Sequence, residues 1–407
     1  MSRFDDLIAR HCPSGVPFVA LCEIGEFTRG RRFTKKDMGD AGLPCIHYGE
    51  IYTHYGTWTL STISHVRSDL RNRLRFARPG DVVVVGVGET VEDVGKAVAW
   101  LGSEEVAVHD DCYALHHDQN PKYIAYAMQV PDFHAQKNKY VARAKVKRLS
   151  GEGLSKIKIP LPPLAVQKEI VRVLDQFAEL EVELEVELEA RRKQYTHYRD
   201  SMLAFNDDRE VRRIPVGDAC TQVLCGGTPL STQPEYYGGR IPWLRTQEVR
   251  YSDILHTKVT ISKAGLENSA ARWVPANSVI VAISGAGVTR GRIAVNRIPL
   301  TTNQHCCSLV IDPLKAHYRF VYHWLAARYE DLRSRGQGNR SDLNVGIIKA
   351  FKMPLPSLEE QARIVGILDK FDALVNDLSV GLPAEIRARR QQYEYYRDQL
   401  LTFEEAP

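Results

Sequence analysis

Nowhere in the 407 residues does an apolar run approach the roughly 18 to 20 residues that a membrane-spanning helix needs. The first residues, MSRFDDLIARHC, mix charges of both signs and lack the apolar core of a signal peptide, so a cytoplasmic location with reduced thiols is expected. None of the eight cysteines forms a C-x-x-C pair, and no metal site is expected. Walker-type loops, metal-ligand clusters and nucleophile elbows are also missing. These absences point away from transporters, metalloenzymes, nucleotidases and serine hydrolases. What remains is a chain with 44% hydrophobic and 26% charged residues, a globular composition long enough for two or three domains.

The net charge of +4 is unevenly spread. Residues 1–158 carry 22 Lys and Arg against 19 Asp and Glu, and residues 206–352 carry 20 against 12. Residues 159–205 carry 6 against 9, and 353–407 carry 6 against 10. A polyanion would be drawn to the two long segments and turned away from the two short ones.

The short segments repeat each other. PLPPLAVQKEIVRVLDQFAEL, from Pro160 to Leu180, returns as PLPSLEEQARIVGILDKFDAL from Pro354 to Leu374, with 11 of 21 positions identical. ARRKQYTHYRD, from Ala190 to Asp200, returns as ARRQQYEYYRD from Ala388 to Asp398, with eight of 11 identical. Repeats this far apart imply two similar halves. Between the two motifs of the first copy stands LEVELEVELEA (180–190), whose strict alternation imitates a strand. At 100° per residue, however, Ile170, Leu174, Phe177, Leu180, Leu184, Leu188, Tyr195 and Tyr198 share one arc about 120° wide, which only a helix explains. Val182 and Val186 fall on a weaker second face. In the later copy Ile364, Leu368, Phe371, Leu374 and Leu378 share the corresponding arc, and Gly381 and Pro383 predict a kink or a restart. A long helix with one apolar stripe needs a partner. The economical partner is the other copy, in a coiled coil that uses these residues as its interface; the alternative is that each helix packs on its own globular segment.

The long segments have a different texture, with short apolar runs such as DVVVVGVG (81–88), AVHDDCYAL (107–115), SVIVAIS (278–284) and CCSLVI (306–311). Each is of strand length and bounded by turn residues. Helical patterns at 123–130 and 320–332 precede the long helices. The fold class expected is mixed α/β: two similar globular domains (1–158 and 206–352) alternating with two helical segments (159–205 and 353–407) in a pseudo-twofold internal repeat.

On these residues the chain resembles the specificity subunit of type I restriction-modification systems. The resemblance rests on the doubled P-L-P-x-L-x-x-Q…I-V-x-x-L-D-x-F and A-R-R-x-Q-Y-x-x-Y-R-D motifs. It also rests on GGTPLST (226–232), EYYGGRIPWL (235–244), GLENSA (265–270) and TNQH (302–305), and on the stretch TRGRRFTKKDMGDAGLPCIHYGEIYTHYG (28–56). The resemblance implies two target recognition domains held apart by two antiparallel helices, each domain reading half of a split double-stranded DNA sequence. It implies docking of two methyltransferase subunits that bring S-adenosylmethionine, and of restriction subunits, where present, that use ATP and Mg. The chain itself is then non-catalytic, carries no cofactor of its own, and sits in a prokaryotic cytoplasm. The VELEVELE stretch (182–189) corresponds to the family's short helical repeats, whose number is linked to the spacing of the half-sites.

Affinity for DNA comes from Lys and Arg at phosphates and specificity from side chains at base edges. In the first domain Arg29, Arg31, Arg32, Lys35 and Lys36 form a basic loop with Phe33 inside it, and His47, Tyr48 and Glu50 follow a strand. Lys145 stands for KNKYVARAKVKR (137–148), expected to serve phosphates. In the second domain LPCIHYGEI (43–51) is collinear with IPWLRTQEV (241–249), which sets Arg245 and Glu248 opposite His47 and Glu50, with Gln247 between them. Arg290, Arg292 and Gln304 are further candidates, and Arg333, Arg335, Gln337, Asn339 and Arg340 lie in a loop able to make bidentate base contacts. Two competing readings remain. NPKY (120–123) resembles the N-P-P-Y of amino-methyltransferases, although Asn120-Pro121 also suits a helix start, and GVGE (86–89) lacks the third glycine of a nucleotide-binding turn. A coiled-coil protein adaptor that does not touch DNA would not need the excess of positive charge in 206–352.

Overall fold

Four consecutive valines, Val82–Val85, form a strand in which every side chain is buried. The computed structural model shows why; it describes residues 3–142, 144–205, 211–284, 289–336, 342–377 and 379–407. Val82 and Val84 face one core, shared with the helix Pro121–Ala127 and with Ile170 and Leu174, while Val83 and Val85 face another against Ile46, Val106 and Val108. A strand covered on both faces reads as a continuous apolar run. The strand Val279–Ala282 repeats the arrangement: Val279 and Val281 join Phe320 and Val321, and Ile280 and Ala282 join Leu244 and Leu300.

The chain forms two compact units, Met1–Val182 with Ala388–Pro407, and Glu183–Arg387. Each therefore combines one globular segment with parts of both helical segments. In the first, a five-stranded sheet runs in the order Gly25–Arg29, Cys112–His117, Val82–Val85, Ala97–Trp100, Trp58–Thr59. A second five-stranded sheet is built around Leu43–Ile46 and Val106–Val108, which pair in parallel. The second unit repeats the plan: Cys220–Cys225, Cys306–Ile311, Val279–Ala282, Ile293–Asn296, Asp253–Ile254, beside a four-stranded sheet in which Tyr237–Leu244 pairs in parallel with Leu300–Thr302. Among the described residues no helix is long and apolar enough to cross a membrane.

LEVELEVELEA lies within one continuous helix, Leu164–Met202. Leu188 is buried, whereas Val182 and Val186 are 60% and 65% exposed, so the alternation is that of one covered and one open face. The later copy breaks into Leu358–Asn376 and Leu382–Leu400, with Gly381 at the break and Pro383 in the first turn of the restart.

In the first unit the two helical copies touch directly. Phe177 stacks on Tyr396 with ring centroids 5.4 Å apart, and Glu181 pairs with Arg390, so the numbering runs in opposite directions and the helices are antiparallel there. In the second unit Phe371 stacks on Tyr198 at 5.4 Å and on Tyr195 at 6.5 Å, and Leu184 and Leu188 belong to the same core. The expected interface needs correction elsewhere. Ile170 and Leu174 pack among Tyr123, Ile124 and Leu401, and Ile364 and Leu368 among Phe320, Tyr322 and Trp324, in the cores of their globular domains. Leu180 and its counterpart Leu374 stay 45% and 36% exposed. A periodic stripe marks the apolar face, not what covers it at each turn. Leu378 lies outside the described residues.

The repeated motifs now have physical roles. The motif glutamine, Gln167 or Gln361, is fully buried. Gln167 accepts the Asn120 amide at 3.1 Å and donates to the Pro162 carbonyl at 2.8 Å; Gln361 accepts the His317 amide at 2.8 Å and donates to the Pro356 carbonyl at 2.9 Å. Asn120 and His317 are the N-caps of the domain helices Pro121–Ala127 and Tyr318–Ala327, so each glutamine ties a domain helix to the start of a long one. The aspartate of L-D-x-F completes the clamp. Asp175 receives Lys122 at 2.6 Å and Tyr126 Oη at 2.9 Å, while Asp369 receives Arg319 at 2.7 Å and His323 at 2.7 Å.

Val16 pairs with residues 404–406 within the first unit. The Val16 amide donates to the Glu404 carbonyl at 2.9 Å, and the Ala406 amide to the Val16 carbonyl at 3.0 Å. Leu401 is buried in this unit's core and its counterpart Leu203 in the other's.

Candidate nucleic-acid interface

The site in the first unit is three loops meeting at the end of the paired sheets. After Gly25–Arg29 the backbone crosses the turn His109–Asp111 so closely that a Cβ on Gly30 would lie 2.1 Å from the His109 carbonyl oxygen. The Gly30 amide bonds the Cys112 carbonyl at 3.0 Å and the Arg31 amide the Val108 carbonyl at 2.9 Å. Phe33 then turns inward into a core with Cys45, Val66 and Ala107. Phe33 is 2% exposed and serves as a plug, which leaves Arg31, Arg32, Lys35 and Lys36 exposed around it. Thr34 and Asp37 close the loop through a hydroxyl–carboxylate bond of 2.7 Å.

The second loop starts at His47, which caps the helix Tyr48–Thr53. Its Nδ1 accepts the Gly49 amide at 3.2 Å, and Glu50 folds back to accept the His47 amide at 3.1 Å. Glu50 is thus removed from the base-reading set: it is 8% exposed and spent on a capping box. Glu248 is corrected in the same way. It accepts the Lys258 amide at 2.7 Å and the Arg245 amide at 3.4 Å beneath the short helix Thr246–Glu248.

Rings fill the junction. His47 lies 4.4 Å from Tyr48 and 4.5 Å from His109, and His109 lies 5.0 Å from Phe33, centroid to centroid. Burial, reinforced by His109 and Lys35, pushes the His47 pKa down to about 4, so its ring is neutral at neutral pH. Around these rings opens a cleft of about 560 Å³ lined by Arg29, Arg32, Phe33, Thr34, His47, Tyr48, His109, Asp110, Asp111 and Arg148. Arg29 is partly committed, because its Nε donates to the Asp110 carbonyl at 2.8 Å.

Within KNKYVARAKVKR the structure separates roles. Lys145 is exposed, and Arg148 reaches the cleft 3.9 Å from Asp111. Lys137 is buried, with Nζ donating to the carbonyls of Val91 at 2.9 Å and Val94 at 2.7 Å, and burial pulls its pKa down to about 8. It serves the fold and not a phosphate.

The second unit builds the same junction from other side chains. A Cβ on Gly226 would lie 1.8 Å from the Thr302 carbonyl oxygen, and the Gly227 amide bonds that oxygen at 3.0 Å. The Asn303 amide donates to the Leu244 carbonyl at 3.0 Å, as the His109 amide does to Ile46 at 3.2 Å. Gln304 is exposed beside Thr228, whose hydroxyl donates to its carbonyl, and Gln247 is exposed near half-buried Arg245. Arg290 and Arg292 sit elsewhere, in the loop packed on the helix Tyr329–Ser334, where a Cβ on Gly291 would touch the Tyr329 ring at 3.0 Å. Arg333 on that helix lies over Tyr329, and exposed Arg335 lies over Phe351. Gln337, Asn339 and Arg340 lie outside the described residues.

Sequence reasoning missed His109, Asp110, Asp111 and Thr228, and named Arg148 only as part of KNKYVARAKVKR. The available signal was the collinearity of AVHDDCYAL with TTNQHCCSL at the offset of 194 set by the helical repeat. NPKY has a plain structural role: the Asn120 side chain accepts the Tyr123 amide at 3.2 Å as a helix N-cap, and Pro121 opens the helix.

Comparison with known proteins finds the same division of the chain into two halves. The family model for the type I restriction modification DNA specificity domain matches twice, over residues 13–191 and 209–388. The specificity subunit of the type I restriction enzyme EcoR124I/EcoR124II of Escherichia coli is 35% identical over 265 residues, which cover 63% of this chain and 65% of the relative. A putative type I specificity subunit of Haemophilus influenzae is 30% identical over 283 residues, covering 63% and 66%. The match thus spans just under two thirds of either relative. Two solved structures share the fold. The S subunit from M. genitalium gives a TM-score of 0.57 at 13% identity, covering 95% of this chain and 96% of that one. A chain from a study of complex assembly and conformational transition of the type I system gives 0.59 at 15%, covering 96% and 98%.

Proposed function

The chain belongs to the family of type I restriction-modification specificity subunits, and from that premise we propose that it chooses the DNA target of a methyltransferase complex, each unit reading one half of a split sequence. It performs no catalysis itself. Two methyltransferase subunits dock on the helices and bring S-adenosylmethionine; restriction subunits, where they exist, bring ATP and Mg. The observation that carries the reading is the pair of loop junctions with one backbone plan and different side chains, His47, Tyr48 and Asp110 in one and Arg245, Gln247 and Gln304 in the other. Similar scaffolds that differ at half-buried and exposed polar positions suit the reading of two different half-sites, because base edges are told apart by donor and acceptor pattern. The acidic surface of the helices, away from both junctions in sequence, keeps the phosphates off the docking faces.

Lys35 and Lys36 follow the plug residue, are exposed, and are assigned to phosphates. Binding of the assembled complex to its target, measured over a salt series, should then show a slope of log affinity against log salt lowered by up to about two in the Lys35→Ala/Lys36→Ala variant, with sequence preference unchanged. An unchanged slope contradicts the phosphate role; a changed sequence preference moves these lysines to the bases.

A further inference from the structure

At each loop junction the residue that caps the short helix has only hydrogen-bond donors left to offer: His47 in the first unit and the collinear Arg245 in the second. The same backbone devices fix both. The carbonyl just before is latched by the crossing turn, Ile46 by the His109 amide at 3.2 Å and Leu244 by the Asn303 amide at 3.0 Å. The amide of the residue itself is held by the glutamate three positions on, Glu50 at 3.1 Å and Glu248 at 3.4 Å. The His47 Nδ1 accepts the Gly49 amide, which assigns the proton of the neutral ring to Nε2. The rings of Tyr48 and His109, 4.4 and 4.5 Å away, hold its plane. Nε2 stays open to solvent on a residue that lines the cleft, and forms no hydrogen bond among the described residues. The Arg245 Nε is closed off over Glu248, 3.6 Å away, but the two terminal nitrogens stay open and also form no hydrogen bond among the described residues.

A shared, fixed backbone that carries a different open donor in each half is what one reading position needs on two half-sites. We infer that this position reads a base with a major-groove carbonyl oxygen in each half-site: guanine or thymine through the His47 Nε2–H, and guanine through the paired terminal N–H groups of Arg245. Guanine offers O6 and N7 and thymine offers O4, and a guanidinium spans the O6–N7 pair of guanine. Cytosine puts an amine there, and adenine an amine beside N7, so each would set donor against donor. A phosphate oxygen is the competing acceptor, and it would be met alike in every sequence. The setting favours a base. Both side chains are half-buried and tied down at a helix cap, whereas phosphates suit the exposed Lys35 and Lys36 of the first unit.

This inference rests on the DNA-reading role proposed above. The test expresses the chain with its methyltransferase in cells free of other DNA methylation and scores all four bases at every position of the methylated motif. His47→Asn keeps a capping acceptor for the helix but takes away the ring donor. Arg245→Gln replaces a guanine-reading fork with an adenine-reading amide. In wild type one position of one half-site should carry guanine or thymine, and His47→Asn should lower its discrimination against amino bases about tenfold. One position of the other half-site should carry guanine, and Arg245→Gln should move it toward adenine. Each variant should leave the opposite half-site unchanged. Unaltered preferences in either variant, with or without weaker methylation, overturn the inference while the DNA-reading role stands. Loss of both half-sites together also overturns it, since the residue would then be structural. Absence of any sequence motif in wild type sinks the role itself.

Discussion

Replacing Arg319 with alanine should destabilise the second unit by about 3–5 kcal/mol, the usual cost of stripping one partner from a buried ion cluster. Arg319 is 5% exposed and meets three carboxylates: Asp253 at 3.1 Å, Asp369 at 2.7 Å and Asp372 at 3.1 Å. Asp253 belongs to the recognition sheet and the other two to the helix Leu358–Asn376, so one guanidinium holds the domain to its helix. Without it Asp253 keeps Arg297, but Asp369 and Asp372 are left to His323, Tyr322 and Asn376 as side-chain donors. The first unit manages the same joint with one pair, Lys122 and Asp175, backed by Trp58 under the ammonium at 3.8 Å. Lys122→Ala should therefore cost clearly less. Urea unfolding of the full chain, followed by a probe in each unit, checks both values; equal small losses would contradict the role given to Arg319.

The same joint sets a pH dependence. Burial lowers the His323 pKa despite Asp369, so the folded protein takes up a proton there less readily than the unfolded chain. An unfolded histidine begins to bind a proton as pH falls through about 6.5, and stability is lost from there downward. Burial works against the Asp369 charge, but the hydrogen bonds from His323 and Arg319 outweigh it and lower its pKa. Its contribution is present above the unfolded value near 3.9 and disappears as pH drops through the lower folded value. The second unit should weaken gently below about pH 6.5 and steeply below about pH 4.

Deleting Val182–Glu185 should shorten the preferred gap between half-sites by about one to two base pairs without altering either half. The deletion removes one Val-Glu-Leu-Glu unit and brings Leu188 to the place of Leu184, so the covered face survives with a rotation of about 40°. Four helical residues are worth about 6 Å of length, against about 3.4 Å per base-pair step. The open face costs little to lose, because Val182 and Val186 are largely exposed. Methylation mapping of the deleted chain decides the matter: an unchanged gap with intact activity rejects the helix as the ruler.

The helices, their break at Gly381 and the α/β character of the domains were legible because periodicity and turn residues act locally. The buried clamps were half legible. The repeat displayed Gln167, Asp175 and their copies, but their partners lie across the fold at Asn120, Lys122, His317 and Arg319. The site was the least legible. A charged residue looks solvent-seeking in sequence, yet Glu50 and Glu248 are turned inward by backbone amides, and Lys137 by two carbonyls. Phe33 sits in a basic loop and still belongs to the core. Conversely, the turn His109–Asp111 gains its importance only because Gly30 lets another loop cross it.

Sequencing the methylated positions in the genome of cells that carry this chain and its methyltransferase tests the central claim most directly. Two specified blocks separated by a gap of fixed length and free sequence are the predicted result. A continuous motif, or methylation without any preferred sequence, would contradict it.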